Sequence, residues 1–215
     1  MWAVIELLLP RRPRRFRHLG RTRLDDRKAL WGILFVLYTG IRWEYLSQEW
    51  GCGFGSTWWP RWAEWQQAGV WDEVQQVLLA RLRAADRLDV SRAVVDSSSV
   101  PAKRGRASPQ VGPSPVDRGR PGSKHHVLTE AVGTPGAVAL PRAGRHDLTQ
   151  LPGMVQTLSA VVATPDELLG DTAYDSHTCR DALTSQGITP RLGNRTRVHG
   201  SGLGRLRRVV EAALA

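Results

Sequence analysis

Three carboxylates in this chain stand where they could share divalent cations. Asp96 closes a short β-branched run, residues 92–96. Asp171 follows the apolar segment 167–170, and Glu211 lies among Val209, Val210, Ala212 and Ala213. Hard cations such as Mg²⁺ prefer carboxylate oxygens and keep waters that phosphate oxygens can displace. Two such ions, roughly 3.5 to 4 Å apart, activate the attacking oxygen and stabilise the leaving oxygen of an in-line displacement at phosphorus. An aspartate at a strand end is also a common turn or cap residue. For Asp96, followed by Ser97, Ser98 and Ser99, and for Asp171, with Thr172 next and Asp175 close by, that reading stands beside the metal one. Glu211 differs, because an unpaired carboxylate in an apolar setting costs several kcal/mol and calls for a partner.

The elements that must position these acids follow from pattern. Segments 92–96, 125–129 and 137–140 read as three strands, the last two flanking Gly133 and Pro135 as a hairpin does. Residues 148–158 read as a helix and 167–170 as a strand. A second helix over 176–186 is stopped by Gly187, a fifth strand covers 188–192, and a last helix begins near Arg207. Strand, hairpin, helix, strand, helix, strand, helix is the order of a ribonuclease-H-like α/β domain with a mixed sheet. In that topology the first and fourth strands are neighbours, so Asp96 and Asp171 lie side by side and the final helix packs across them.

The first half has a different chemistry. All nine tryptophans fall between Trp2 and Trp71, and a domain boundary is expected between Leu88 and Ser91, giving a helical unit over 1–88 and a catalytic unit over 89–215. Asp25 or Asp26 caps a helix through Leu30, Ile33, Leu34 and Leu37 that stops at Gly40. A short helix holds Trp43 to Leu46. After a glycine turn, Ser56 caps a helix with Trp58, Trp62 and Trp65 on one face, and Gly69 ends it. A longer amphipathic helix from Trp71 turns Val74, Leu78 and Leu82 inward. Helix, glycine turn, helix makes this an all-α, helix-turn-helix-like unit, with Arg61, Gln66 and Gln67 expected on the exposed side, within reach of DNA. A tryptophan stripe at helical spacing is more often core or a dimer interface, and exposed polar residues of this kind are more often plain solvated surface.

With 30 Lys and Arg against 20 Asp and Glu, the chain carries +10, and both halves are basic; a polyanion is the natural partner, and a basic protein from an arginine-rich proteome is the other reading. The most apolar run, residues 29–38, is well short of the roughly 18 residues a membrane span needs. The N-terminus runs from apolar to basic, the reverse of a signal peptide, so a cytoplasmic protein without a membrane partner is expected. Cys52 and Cys179 are too far apart in sequence, with no second pair, to form a zinc site. Residues 103–124 hold Lys103, Arg104, Arg106, Arg118, Arg120 and Lys124 against one acid, Asp117, and leave the first strand beside Asp96. With His125, they are candidates for DNA phosphate contacts.

Several ordered motifs resemble one family. The first half carries Trp2-Ala3-Val4-Ile5-Glu6, Asp26-Arg27, Gly32-Ile33-Leu34, Thr39-Gly40-Ile41-Arg42-Trp43 and Ala68-Gly69-Val70-Trp71. The second carries Val95-Asp96-Ser97-Ser98, then Gly112 through Arg118 into Arg120-Pro121-Gly122-Ser123-Lys124-His125-His126. His146-Asp147, Asp171-Thr172-Ala173-Tyr174-Asp175, Gly200-Ser201-Gly202-Leu203-Gly204 and Val209-Val210-Glu211 complete the set. Nearly the whole chain thus resembles transposases of the insertion-sequence "five" family. The resemblance implies that Asp96, Asp171 and Glu211 are the DDE triad of a strand transferase using two Mg²⁺ ions, with Mn²⁺ as substitute. It further implies double-stranded DNA as partner, both terminal inverted repeats and target, and a homodimer. It departs from the family at Ser47, at Arg208 and at Ala212-Ala213. The family pattern also continues past the glutamate, so the expected chain is C-terminally truncated, and an inactive, DNA-binding remnant is the second reading. Neutralising Arg118, Arg120 and Lys124 together is expected to flatten the salt dependence of DNA binding, because a protein that neutralises fewer phosphates displaces fewer counterions. A slope equal to that of the wild type, measured by fluorescence anisotropy across salt concentrations, counts against those phosphate-binding roles.

Overall fold

The computed structural model describes residues 2–11, 23–47, 49, 51, 55–102, 108–193 and 203–214. The chain forms two compact units, Met1–Leu78 and Leu79–Ala215. The division falls within a helix, nearer the N-terminus than the composition change near Leu88, because Leu79 is buried in the core of the second unit. Among the described residues, no helix is long and apolar enough to cross a membrane.

The first unit is helical. Its elements are α1 (Trp2–Leu8), α2 (Asp26–Thr39), a 3₁₀ turn (Trp43–Tyr45), α3 (Gly55–Gln67) and the start of α4 (Val70–Ala84). The Asp25 carboxylate accepts the Lys28 amide at 3.0 Å, and Gly40 ends α2 in the left-handed region at φ 67°, its N–H donating to the Val36 carbonyl. Both caps satisfy helix-end groups that otherwise lack partners. Ile33, Val36, Leu46, Trp58, Trp65 and Val70 form the core.

Here one expectation is corrected. Arg61 does not face solvent: it is 5% exposed, its guanidinium pairs with the Asp26 carboxylate, donates to the Leu24 carbonyl at 3.3 Å and lies 5.9 Å from the Trp65 ring centre. The reason is helical geometry. Positions 58, 61 and 65 share one face at the spacing i, i+3, i+7, so the arginine goes in with the tryptophans and its charge is met by α2. Gln66 and Gln67 are exposed as expected.

The second unit is built on β1 (Arg92–Pro101), β2 (Gly112–Pro113), β3 (Pro121–Glu130), β4 (Pro135–Ala139), β5 (Glu167–Gly170) and β6 (Thr189–Leu192). Its helices are α5 (Leu151–Val161), α6 (His177–Ser185) and α7 (Leu203–Leu214). The sheet runs β4–β3–β1–β5–β6, with β2 pairing the first residues of β3. β1 is antiparallel to β3 and parallel to β5, and β5 is parallel to β6. This is a ribonuclease-H-like mixed sheet. Strands buried on both faces read as nearly continuous apolar runs, as 93–95 and 168–169 do. Ala93, Val95, Leu128 and Leu168 pack with Leu151, Val155 and Leu158 of α5, while Val94, Val127 and Leu169 pack with Val210 of α7.

Several boundaries differ from expectation. β1 does not stop at Asp96 but continues to Pro101, because Ser97, Ser98 and Ser99 pair with His126, His125 and Lys124 of β3. The expected helix over 148–158 divides into a 3₁₀ turn (Asp147–Thr149) and α5, whose start accommodates Pro152 in its first turn, where no amide donor is needed. The last helix begins at Leu203 rather than near Arg207.

One buried acid secures the β3–β4 turn. Glu130 is 1% exposed, and its carboxylate accepts the amides of Asp89 (3.0 Å), Val132 (3.0 Å) and Thr134 (2.7 Å). Glu130→Ala strands those three donors, so urea denaturation is expected to show a loss of about 2–4 kcal/mol, with a smaller loss for Glu130→Gln. A loss below about 0.5 kcal/mol would show that water satisfies the amides instead.

Candidate active site

Asp96 and Asp171 stand just beyond the end of the β1–β5 ladder. Its last paired residues are Val94 and Leu169, and each aspartate lies two residues further along its own chain. Side chains alternate along a strand, so Asp96 shares the face of Val94 and Asp171 that of Leu169, both the face covered by α7. Neighbouring strands are about 4.8 Å apart where they pair, so the two half-buried acids emerge from adjacent strands. Each is fixed by the amide that follows it. Asp96 Oδ1 accepts the Ser97 N–H at 2.8 Å, and Asp171 Oδ1 accepts the Thr172 N–H at 2.6 Å and the Thr172 hydroxyl at 3.2 Å. Close packing at Gly170 keeps the strands together: a Cβ there would sit 2.9 Å from Val95 Cγ1 and 3.5 Å from the Tyr174 ring. Asp175, the acid nearest to Asp171 in sequence, is engaged by Arg180 Nε at 2.7 Å.

Glu211 is placed by α7. Val210 is fully buried against Val94, Val127 and Leu169, and Val209 lies against Gly133 of the β3–β4 turn. Two residues beyond Val209, about 200° around the helix, Glu211 leaves from the opposite flank. It is exposed, as are Ala212 and Ala213, so the expectation of an apolar setting is corrected: α7 buries Val210 and turns its glutamate to solvent, where the carboxylate needs no partner. Among the described residues, no three His, Cys, Asp or Glu side chains are gathered closely enough to hold a metal ion. Asp96 and Asp171 thus follow adjacent strands, and Glu211 leaves an exposed flank of α7.

Behind the aspartates, on the α5 face, lies a polar network that sequence reasoning did not assign to the site. His126 and Tyr174 are both fully buried, and the Tyr174 hydroxyl shares a 2.7 Å hydrogen bond with His126 Nδ1. His126 Nε2 is 3.9 Å from an Asp147 carboxylate oxygen that also receives the Lys124 ammonium. Burial lowers the His126 pKa, helped by the charge of Lys124 and opposed by Asp147 and Asp96. Burial likewise raises that of Tyr174 well above the ordinary phenol value, and the negative charges of Asp147, Asp96 and Asp171 add to the shift. The available signal was spacing: three residues from Asp171 to Tyr174 make one 3₁₀ turn, and His126 stands two positions past Lys124 on one strand.

The basic candidates are dispersed. Arg118 and Arg120 are exposed in the turn before β3, the latter 3.9 Å from Asp117. Lys124 is committed to Asp147, and His125, half-buried, lies 3.4 Å from the Ser123 hydroxyl. Arg104 and Arg106 lie outside the described residues. A cleft of about 560 Å³ is lined by Ser114, Lys124, Arg145, His146, Asp147 and Ala173, the last two residues past Asp171.

Two family models match the chain: "Transposase DDE domain" over residues 89–211, and "Putative transposase of IS4/5 family" over residues 1–75. A Burkholderia cepacia protein, "Insertion element IS402 uncharacterized 16.2 kDa protein", is 56% identical over 103 residues, 47% of this chain and 70% of its own length. A second from the same organism, "Putative transposase for insertion sequence element IS402", is 41% identical over 135 residues. That match spans 59% of this chain but only 61% of the relative. Among solved structures, the catalytic core domain of BIV integrase aligns with a TM-score of 0.36 at 15% identity, covering 58% of this chain and 64% of that one. The catalytic domain of Mos1 mariner transposase aligns at 0.34 and 11%, covering 58% and 59%.

A pH dependence follows from the buried imidazole. Its folded pKa lies below that of a free histidine, so as pH falls below about 6.5 the unfolded chain takes up the proton first and folding weakens until the folded pKa is passed. In urea titrations the wild-type midpoint is expected to drop across that window more steeply than that of His126→Gln. Equal slopes would show that His126 does not stay neutral in the folded unit.

Proposed function

The chain belongs to the transposase DDE domain family, and from that premise we propose that it cleaves and joins DNA at the ends of a mobile element, using Asp96, Asp171 and Glu211 as the acids of one metal-dependent site. The observation that carries this reading is the position of Asp96 and Asp171 side by side, on one face, just beyond the last β1–β5 pair. Two half-buried carboxylates that follow neighbouring strands suit a hard divalent cation, Mg²⁺ or in its place Mn²⁺. When bound, such ions supply activation of the attacking oxygen and charge stabilisation of the leaving one.

The protein's own part is positioning. The Ser97 and Thr172 amides hold one oxygen of each aspartate, which fixes the carboxylate planes before any ligand arrives. Glu211, exposed on the flank of α7 opposite Val209, is the third acid in this reading. Arg118 and Arg120, with exposed guanidinium groups, bind backbone phosphates, and Lys124 contributes less because Asp147 offsets its charge. The inverted repeats as substrate, the second copy of the chain in a homodimer and an outer role for Gln66 belong to the same proposal.

The test uses the full chain and a supercoiled plasmid carrying the DNA that flanks its gene on both sides. With Mg²⁺ or Mn²⁺, the wild type is expected to nick or excise at the element ends. Asp96→Asn is expected to lose that cleavage by about a thousandfold, the scale of a removed electrostatic anchor of the transition state, while binding the same DNA within about twofold, a difference of under roughly 0.5 kcal/mol. Cleavage that survives in Asp96→Asn would place the chemistry elsewhere. A wild type that binds and never cuts reduces the chain to a DNA-binding remnant.

A further inference from the structure

The parallel ladder between β1 and β5 stops at Val94 and Leu169, before either aspartate. The distance between Asp96 and Asp171 is thus not set by that ladder, although any shared cation would depend on it. A side-chain link spans the same gap from the opposite face of the sheet. Tyr174 ends the 3₁₀ turn that begins just after Asp171, and its N–H donates to the Asp171 carbonyl at 3.0 Å. Its hydroxyl meets His126 Nδ1 at 2.7 Å, and His126 pairs in register with Ser97, the residue whose amide holds Asp96.

Packing alone does not account for this pair. Both residues are fully buried beside Leu128, Leu192 and other apolar side chains, where two apolar residues would fill the space without polar atoms to satisfy. Instead the core carries a phenol and an imidazole, and among the described residues His126 Nε2 finds no hydrogen-bond partner, facing Asp147 at 3.9 Å. An unsatisfied buried donor or acceptor is a cost to folding, which favours a role for the pair beyond stability.

We propose that His126 and Tyr174 are positioning residues that clamp the β5 turn to the β3–β1 pair and so fix the separation of the Asp96 and Asp171 carboxylates. Neither touches DNA or the cation; they act through the aspartates. This inference rests on the metal-site reading given above.

The experiment measures Mn²⁺ binding to the full chain, without DNA, by the electron paramagnetic resonance signal of free Mn²⁺. Asp96→Asn identifies the site and is expected to abolish the tight component. Tyr174→Phe keeps the ring and deletes the hydroxyl; it is expected to weaken that component about tenfold, within the range seen when groups that orient metal ligands are removed. His126→Phe is expected to match it, and the double variant to lose no more than either single, since all three delete one hydrogen bond. Leu158→Ala, a cavity in the same core, is expected to lower the melting temperature while leaving Mn²⁺ affinity unchanged. Wild-type affinity in Tyr174→Phe and His126→Phe overturns the clamp and leaves the metal site standing. Absence of any Asp96-dependent Mn²⁺ binding in the wild type overturns the metal-site reading and the clamp with it.

Discussion

β1 is paired for unequal lengths on its two sides. Toward β3 the antiparallel ladder runs from Ala93 to Pro101, whereas toward β5 the parallel ladder holds only from Arg92 to Val94. A strand supported on one side and released on the other has an unpaired edge from the release point on, beyond the carboxyl ends of the parallel strands. Asp96 stands at that point on the supported strand and Asp171 at the corresponding point on the departing one. Antiparallel pairing supplies rigidity under Asp96, and parallel pairing ends before either acid.

Packing protects this arrangement from both faces. Val94, Val127 and Leu169 lie under Val210 of α7, and Ala93, Val95 and Leu168 lie over α5, so β1 and β5 cannot slide without opening two apolar layers. A slip of one residue would turn Asp96 into the α5 layer and cost the burial of a charge. The register that buries the valines thus also orients the acids. Gly170 lets the strands approach at that level, since a side chain there would meet Val95 and Tyr174.

Charge is distributed in two ways. Arg61 and Asp26, Lys124 and Asp147, Arg180 and Asp175 neutralise one another at half-buried or buried positions, and these pairs hold elements of the same unit together. The net +10 is carried by the remainder, much of it exposed as at Arg118 and Arg120. A basic surface of that kind draws an anionic backbone toward the protein, and the paired charges inside leave its long-range field to the exposed arginines.

The helix caps at Asp25 and Gly40, the strand over 167–170 and the order of elements in the second unit were legible because each depends on local periodicity or on a residue's own backbone preference. Asp96 and Asp171 were legible as neighbours for a related reason, since the element order fixes which strands are adjacent. The sequence could not reveal that β1 runs on to Pro101, because Ser97 to Ser99 have little strand preference of their own and are held by pairing with Lys124 to His126, some 25 residues away. Nor could it show that Arg61 is buried, which depends on Asp26 of another helix, or that Glu211 is exposed, which depends on the face α7 presents to Val94 and Leu169. Local preference and spacing determined the elements and the candidate acids. Burial, charge pairing and the meeting of His126 with Tyr174 were decided only by the tertiary structure, because each joins segments whose distance along the chain carries no trace of their distance in space.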